Sequence, residues 1–214
     1  FIGIHVAGKA DISVKVCAKR DPDEGLGVVV KKNGRNAIKE YSELTEEQKH
    51  AERSDGKLKF LYGSVAIHVF SLDFMRRESE RNMPLHVARK TVPFCDESGN
   101  TVESDEPNAC KFEKFIFDVL PDAEKSVNVE FERSEEFSPV KNAEGADSPA
   151  TAERDITMKF ARWLEQCGVE IPWVGSGTPR YAIEIDPCYA LGPDDLKDKV
   201  DKNLEINSDL FLAP

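Results

Sequence analysis

The sequence lacks the short motifs that identify many enzymes and metal proteins on their own. It contains no G-x-S-x-G, no P-loop, no G-x-G-x-x-G, no C-x-x-C pair and no zinc-ligand spacing. No apolar run approaches the roughly 20 residues that a membrane-spanning helix needs. The residues alone therefore offer no complete catalytic set, and we expect no membrane partner.

Cysteine is scarce, and its spacing does not suggest a disulfide framework. The five cysteines are odd in number and widely separated, which is typical of reduced thiols in a cytosolic protein. We therefore expect a cytoplasmic location. The four histidines show no metal-ligand spacing either and are interpreted as structural or exposed: His5, His50, His68 and His86.

Positive charge is also in deficit. The chain has 29 Lys and Arg against 40 Asp and Glu, which gives a formal net charge of −11 over 214 residues. A field of that sign repels nucleic acid and anionic lipid, so neither is an expected partner. An anionic ligand would have to be held by local lysines, against the average charge of the surface.

The order of predicted elements indicates an α/β fold. Strands and helices alternate up to about residue 145, and a long helix, a strand, a short helix and a strand follow. We expect an α/β domain over 1–145 and a small α+β lobe over 146–214. Asn33-Gly34 predicts a hairpin, and Ser148 predicts the N-cap of the long helix. The apolar opening "FIGIHVAG" leads us to expect a chain that starts inside a larger fold.

A run of apolar residues at helical spacing predicts a helix over 111–120. Lys111 would then lie on its polar face, where an ion pair with Asp118 is the ordinary expectation. Phe117 falls off the apolar stripe, so it either walls a pocket or packs under a neighbouring loop. The stripe itself consists of Phe112, Phe115, Ile116, Val119 and Leu120.

Lys141 stands in an acidic stretch, "ERSEEFSPVKNA", two residues after Pro139. A lysine on open surface needs no stiffened backbone, whereas a lysine that meets an anion at a fixed place does. One interpretation is therefore a phosphate contact in a loop at the end of a strand. The other is a salt bridge to Glu135 or Glu136.

Glu40 is a second candidate, on a strand that is predicted from alternating residues. Ile38, Glu40 and Ser42 would share one face of that strand. A carboxylate beside an apolar residue can accept hydrogen bonds from two neighbouring sugar hydroxyls. The alternative is an ordinary exposed strand residue.

Five motifs together carry a resemblance to a known family. "EYSE", "HVARKTVPF", "FEKFIFDVL", "FSPVKNA" and "DSPATAERD" occur along the chain. The chain resembles the C-terminal portion of the eukaryotic UDP-N-acetylglucosamine pyrophosphorylases, from Phe1 to about Val200. The resemblance implies the second half of a Rossmann-like nucleotidyltransferase domain plus a small C-terminal α+β lobe. It also implies a Mg²⁺-dependent reaction of UTP with N-acetylglucosamine 1-phosphate, giving UDP-N-acetylglucosamine and pyrophosphate.

Site residues follow from the resemblance position by position. Lys141 would contact the phosphates of the sugar nucleotide during catalysis, and Lys111 would contact those of UTP. Gly27 and Glu40 would hold the sugar hydroxyls. Ser64 stands where the family has an asparagine that contacts the sugar, and Ile67 replaces a second asparagine. The pocket would be completed by Tyr41, Phe115 and Phe117.

The resemblance also implies parts that residues 1–214 do not contain. The family's glycine-rich loop and its metal-binding aspartate would precede residue 1, so we expect the Mg²⁺ ligands to lie mainly outside this chain. The missing N-terminal half of the same protein would be its partner, and the chain alone would be inactive. Two alternatives stay open: a non-catalytic relative that acts in interaction or regulation, and a pyrophosphorylase for another UDP-sugar.

Overall fold

The fold is taken from a computed structural model, which describes residues 1–175 and 177–214. Contacts among these residues divide the chain into two units, Phe1–Phe131 and Glu132–Pro214. The domain boundary predicted after residue 145 lies inside the second unit. The division into domains 1–145 and 146–214 stays a prediction.

Strands predominate in the first unit. They are β1 (Ile12–Ala18), β2 (Gly27–Lys32), β3 (Arg35–Lys39), β4 (Tyr62–Phe70), β5 (His86–Lys90), β6 (Phe94–Cys95), β7 (Thr101–Val102), β8 (Ala109–Glu113) and β9 (Ser126–Glu130). Helices are interspersed with them, which confirms the predicted mixture of α and β elements. These are α1 (Ile2–Gly8), α2 (Glu46–His50) and α3 (Leu72–Ser79), with 3₁₀ helices at Tyr41–Glu43 and Ile116–Asp122.

A mixed sheet with the order β3-β2-β4-β1-β9 forms the centre of this unit. β1 pairs with β9 in parallel and with β4 in the antiparallel direction. The alternation along β1 places Ile12, Val14 and Val16 in the core, where Phe74 of α3 joins them. Burying an aliphatic or aromatic side chain of this size contributes about 1.5–3 kcal/mol.

The hairpin predicted at Asn33-Gly34 is confirmed. Asn33 has φ of 52° and Gly34 has φ of 78°, and the turn joins the antiparallel strands β2 and β3. Two positive φ values are what a tight two-residue hairpin requires. This turn brings the start of β2 beside the end of β3, and that arrangement positions the candidate site.

The helix predicted over 111–120 is wrong. Residues up to Glu113 belong to β8, which pairs antiparallel with β5, and a 3₁₀ helix begins only at Ile116. Phe112 is accordingly 61% exposed instead of buried. Helical spacing of the apolar residues is present in the sequence, but pairing with a distant strand overrides it. The buried residues of the 3₁₀ helix are Phe117, Val119 and Leu120.

The second unit is built around one long helix. α5 (Pro149–Gln166) has Ser148 as its N-cap, as predicted, and Gly168, with φ of 85°, lies two residues beyond its end. Leu164 of this helix packs on Ile183, Ile185 and other residues of a separate core. The remaining elements are α4 (Arg133–Glu136), β10 (Trp173–Val174), β11 (Thr178–Pro179), β12 (Ile183–Ile185), α6 (Pro193–Leu196) and β13 (Leu210–Leu212).

Length and apolarity decide whether a helix can cross a membrane. Among the residues that the structure describes, every helix is too short or too polar for that role.

Candidate functional site

Gly27 and Glu40 lie in contact where β2 begins and β3 ends. A Cβ atom added to Gly27 would lie 2.8 Å from Glu40 Oε1 and 2.9 Å from Ile38 Cγ2. Both distances are shorter than a real Cβ contact, so the carboxylate of Glu40 occupies the space that a side chain at Gly27 would need. Glycine at this position therefore lets a carboxylate lie directly against the backbone of the sheet.

The strand face predicted for Ile38, Glu40 and Ser42 is wrong. β3 ends at Lys39, and Glu40 is the residue before the 3₁₀ helix Tyr41–Glu43, which contains Ser42. Glu40 is half-buried rather than an ordinary exposed strand residue. Tyr41 follows it and is 45% exposed. Glu40 thus lies on a turn at the edge of the sheet, with Tyr41 beside it.

Ser64 lies next to Gly27 in the sheet. The two residues pair directly between β4 and β2, and Ser64 also pairs with Val16 of β1. The register of β4 against β1 shifts just after Ser64, where Ala66 has φ of 60°. The Ala66 N–H donates to Ser64 Oγ at 3.4 Å. The structure therefore brings Gly27, Glu40 and Ser64 together at an irregular part of the sheet.

Phe115 and Phe117 stack on each other close to this sheet. Their ring centroids are 4.9 Å apart and the rings are nearly parallel, at 13°. Phe117 belongs to the buried core, whereas Phe115 is half-buried and packs on the edge of that core. The 3₁₀ helix that contains Phe117 packs against β3. Phe115 is therefore the accessible ring of the pair, and Phe117 supports it from behind.

Lys111 lies on the two-stranded ribbon of β5 and β8. It pairs with Ala88, and its Nζ lies 2.7 Å from Glu113 Oε1. The ion pair that was predicted with Asp118 is wrong, because residue 111 is on a strand and Asp118 binds His86. The Lys111 side chain is 58% exposed, which leaves its ammonium accessible to a further anion.

His86, one of the four histidines expected to be structural or exposed, binds two carboxylates. Its Nδ1 lies 3.0 Å from Glu43 Oε1, and its Nε2 lies 2.8 Å from Asp118 Oδ2. Its ring centroid is 4.7 Å from that of Phe115. No local pattern could have revealed this network, because its partners are 43 and 32 residues away along the chain.

The loop of Lys141 belongs to the second unit and has a well-braced backbone. The N–H groups of Lys141 and Asn142 both donate to the carbonyl of Asp147, at 2.7 and 3.0 Å. Ser138 Oγ donates to Asp155 of α5 at 2.8 Å. Lys141 itself is an exposed residue. The loop therefore holds the Lys141 backbone in a fixed place at the start of α5.

Glu135, one of the two carboxylates considered as a partner for Lys141, is bound by α5. Arg162 donates to its Oε1 at 2.8 Å, and Trp163 Nε1 donates to its Oε2 at 3.0 Å. Burial by itself would raise the pKa of Glu135, but these hydrogen bonds outweigh it and lower the pKa. Glu135 is thus a structural anchor of α4 on α5.

The described residues, 1–175 and 177–214, include many acidic side chains. They contain no group of three or more His, Cys, Asp or Glu side chains arranged to hold a metal ion. No chemical step is therefore assigned to a metal held by these residues.

Comparisons with known proteins give matches over most of the chain. The model of a family described as UTP–glucose-1-phosphate uridylyltransferase matches residues 1–147. The chain is 38% identical to the human UDP-N-acetylhexosamine pyrophosphorylase-like protein 1, over 92% of this chain and 42% of the relative. It is 35% identical to the UDP-N-acetylglucosamine pyrophosphorylase of Saccharomyces cerevisiae, over 78% of this chain and 37% of the relative.

A solved structure is similar over almost the whole chain. It is assigned as a UDP-N-acetylglucosamine pyrophosphorylase from Entamoeba histolytica and superposes with a TM-score of 0.82 at 30% identity. The match covers 99% of this chain and 52% of that one. This likeness confirms the predicted fold class. The chain spans less than half the length of the two curated relatives.

Proposed function

Because the chain belongs to the UTP–glucose-1-phosphate uridylyltransferase family, we propose that the whole protein is a UDP-N-acetylglucosamine pyrophosphorylase. It would join UTP and N-acetylglucosamine 1-phosphate to give UDP-N-acetylglucosamine and pyrophosphate. Residues 1–214 would be its C-terminal, sugar-binding portion, and the other portion of the protein would bind the nucleotide. The observation that carries the proposal is the contact between Gly27 and the Glu40 carboxylate.

That contact suits a sugar for two reasons. A carboxylate is an acceptor with two oxygens, so Glu40 can accept hydrogen bonds from two neighbouring hydroxyl groups. The absence of a side chain at Gly27 leaves room for Glu40 to lie against the sheet. Tyr41 would lie beside the sugar, and Phe115, supported by Phe117, would supply an apolar wall.

Phosphate binding would come from the two lysines. The chain carries a net charge of −11, so phosphate groups need local cations to be held at all. We assign Lys111 to the phosphates of UTP and Lys141 to the phosphates of the sugar nucleotide. In the proposed reaction a phosphate oxygen of the sugar 1-phosphate attacks the α-phosphorus of UTP in line, and pyrophosphate leaves. Alignment and charge neutralisation provide most of the catalysis in such transfers.

The proposal includes Mg²⁺ as a cofactor, which supplies charge neutralisation to phosphates when bound, with ligands contributed by the other portion of the protein. It also includes a cytoplasmic location, which is supported by five free cysteine side chains.

Release of pyrophosphate tests the function. The purified whole protein, given UTP and N-acetylglucosamine 1-phosphate, is expected to release pyrophosphate only when both substrates are present. The 214-residue chain alone is expected to release none. Absence of release by the whole protein would favour the non-catalytic alternative, and release with a different sugar phosphate only would favour another UDP-sugar.

Ser64 provides a prediction about the sugar. An asparagine amide reaches further than a serine hydroxyl and offers both donor and acceptor groups. A buried hydroxyl left without its partner costs about 1–3 kcal/mol. We therefore expect Ser64→Asn in the whole protein to lower the KM for N-acetylglucosamine 1-phosphate, or to shift the sugar preference, with the KM for UTP little changed. Steady-state kinetics with both substrates will measure this, and an unchanged KM and preference would show that the substitution is neutral.

A further inference from the structure

His86 bridges two carboxylates that come from different parts of the first unit. Glu43 and Asp118 approach its two ring nitrogens at hydrogen-bond distances of 3.0 and 2.8 Å. A carboxylate only accepts hydrogen bonds, whereas a neutral imidazole has a single N–H to donate. Only the doubly protonated imidazolium can donate to both partners, so this geometry is satisfied by a cationic His86.

The bridge joins the segments that carry the candidate site. Glu43 ends the 3₁₀ helix that directly follows Glu40. Asp118 lies in the 3₁₀ helix that follows Phe115, whose ring contacts the imidazole at 4.7 Å. His86 itself opens β5, the strand that pairs with β8 and with Lys111 on it. One side chain therefore ties the turn, the aromatic pair and the ribbon to one another.

Charges around His86 favour the cation. Besides Glu43 and Asp118, Glu113 pairs with His86 across the ribbon, and Lys111 binds Glu113. Burial alone would lower the pKa of His86, but the hydrogen bonds to Asp118 and Glu43 outweigh it and raise the pKa above its ordinary value. The Asp118 side of the bridge is the more shielded one, since the side chain of Asp118 is 13% exposed and that of Glu43 is 43% exposed.

We infer that His86 is a positioning residue, which as an imidazolium holds Glu40 and Phe115 in the arrangement that binds the sugar phosphate. The inference rests on the proposed function, and it adds a pH dependence to it. When His86 loses its proton, one hydrogen bond is lost and two carboxylates face a neutral ring. The turn, the aromatic pair and the ribbon are then tied by one hydrogen bond of His86 instead of two.

The direction of the pH dependence follows from the raised pKa. The stabilisation by the bridge is fully present below the pKa of His86 in the unfolded chain and is lost as pH rises through the folded pKa. Binding of the sugar phosphate should therefore weaken on the alkaline side. The substrate phosphate also titrates with pH, and this affects every protein variant equally. A variant measured at the same pH values therefore separates the contribution of His86 from that of the substrate.

The test is the KM for N-acetylglucosamine 1-phosphate as a function of pH in the whole protein. His86→Gln should raise this KM about five- to tenfold at low pH, because a small misplacement of a binding group causes a large loss of binding. The kcat should stay within about twofold. In His86→Gln, the KM should not rise with pH as it does in the wild type. His50→Gln is the matched control, because His50 is an exposed histidine of the same unit that hydrogen-bonds to a backbone carbonyl. Its profile should equal that of the wild type.

A second variant covers the case in which His86→Gln does not fold. Asp118→Asn keeps the hydrogen-bond acceptor but removes the charge, so the alkaline rise in KM should move to lower pH. An unchanged KM and pH profile in the folded variants would overturn the inference.

Ring-proton NMR of His86 reports on the bridge without any turnover. A lower titration midpoint in Asp118→Asn supports the bridge even if the wild type releases no pyrophosphate and the proposed function fails. An unchanged midpoint overturns the inference even if the enzyme is active.

Discussion

Lys141→Ala in the whole protein is expected to lower kcat on the order of 100-fold or more, because a fixed cation aimed at developing charge acts mainly in the transition state. The loop around Lys141 is braced by two hydrogen bonds to the Asp147 carbonyl and by the Ser138–Asp155 contact. Such bracing keeps the backbone in place when the side chain is removed, so the loss should appear in kcat rather than in stability. Initial rates of pyrophosphate release at saturating substrates will measure it.

Two further variants separate charge from geometry. Lys141→Arg keeps the charge but is larger and planar, so it should restore only part of the activity. Lys197→Ala removes an exposed lysine of the same unit, which pairs with Asp194, and should leave kcat unchanged. A kcat for Lys141→Ala within about threefold of the wild type would return Lys141 to an ordinary surface ion pair.

Gly27→Ala is expected to raise the KM for N-acetylglucosamine 1-phosphate by about 10- to 100-fold. Displacing a binding group by about one ångström can reduce binding or rate by up to about 100-fold. The new Cβ would lie 2.8 Å from Glu40 Oε1, and the flexible carboxylate would have to move away. The KM for UTP should change little, because the displaced group is assigned to the sugar. Steady-state kinetics with each substrate varied in turn will measure both constants.

The sheet offers a matched steric control for this variant. A Cβ on Gly63 would lie 2.7 Å from Leu26 Cδ1, an equally close contact that involves no candidate site residue. Gly63→Ala should therefore lower the melting temperature through overpacking, which costs about 1–3 kcal/mol, without a selective effect on the sugar KM. If both variants raised that KM equally, the effect of Gly27→Ala would reflect packing and not displacement of Glu40.

The parts of the fold that the sequence predicted correctly are those with a local physical cause. Asn33-Gly34 predicted its hairpin because few residue pairs accept two positive φ values. Ser148 predicted the start of α5 because its side chain accepts a hydrogen bond from a backbone N–H of the first helical turn.

The errors arose where distant contacts decide the structure. The apolar residues of 111–120 have helical spacing, but pairing with β5 makes residues 111–113 part of a strand. Glu40 continues a strand-like pattern, yet β3 ends one residue earlier. His86 acquires its role from partners that no sequence window contains. The resemblance supplied the candidate site residues, while their mutual distances required the structure.

The most direct test of the account is the ratio of kcat/KM for N-acetylglucosamine 1-phosphate to that for glucose 1-phosphate, measured with UTP in the whole protein. The account assigns an N-acetylated sugar to the site that contains Gly27, Glu40 and Phe115. It therefore predicts a ratio above about tenfold, the discrimination expected when a pocket accommodates an extra group. A ratio of about one or less would contradict the central claim, because the chain would then serve a sugar without the acetamido group.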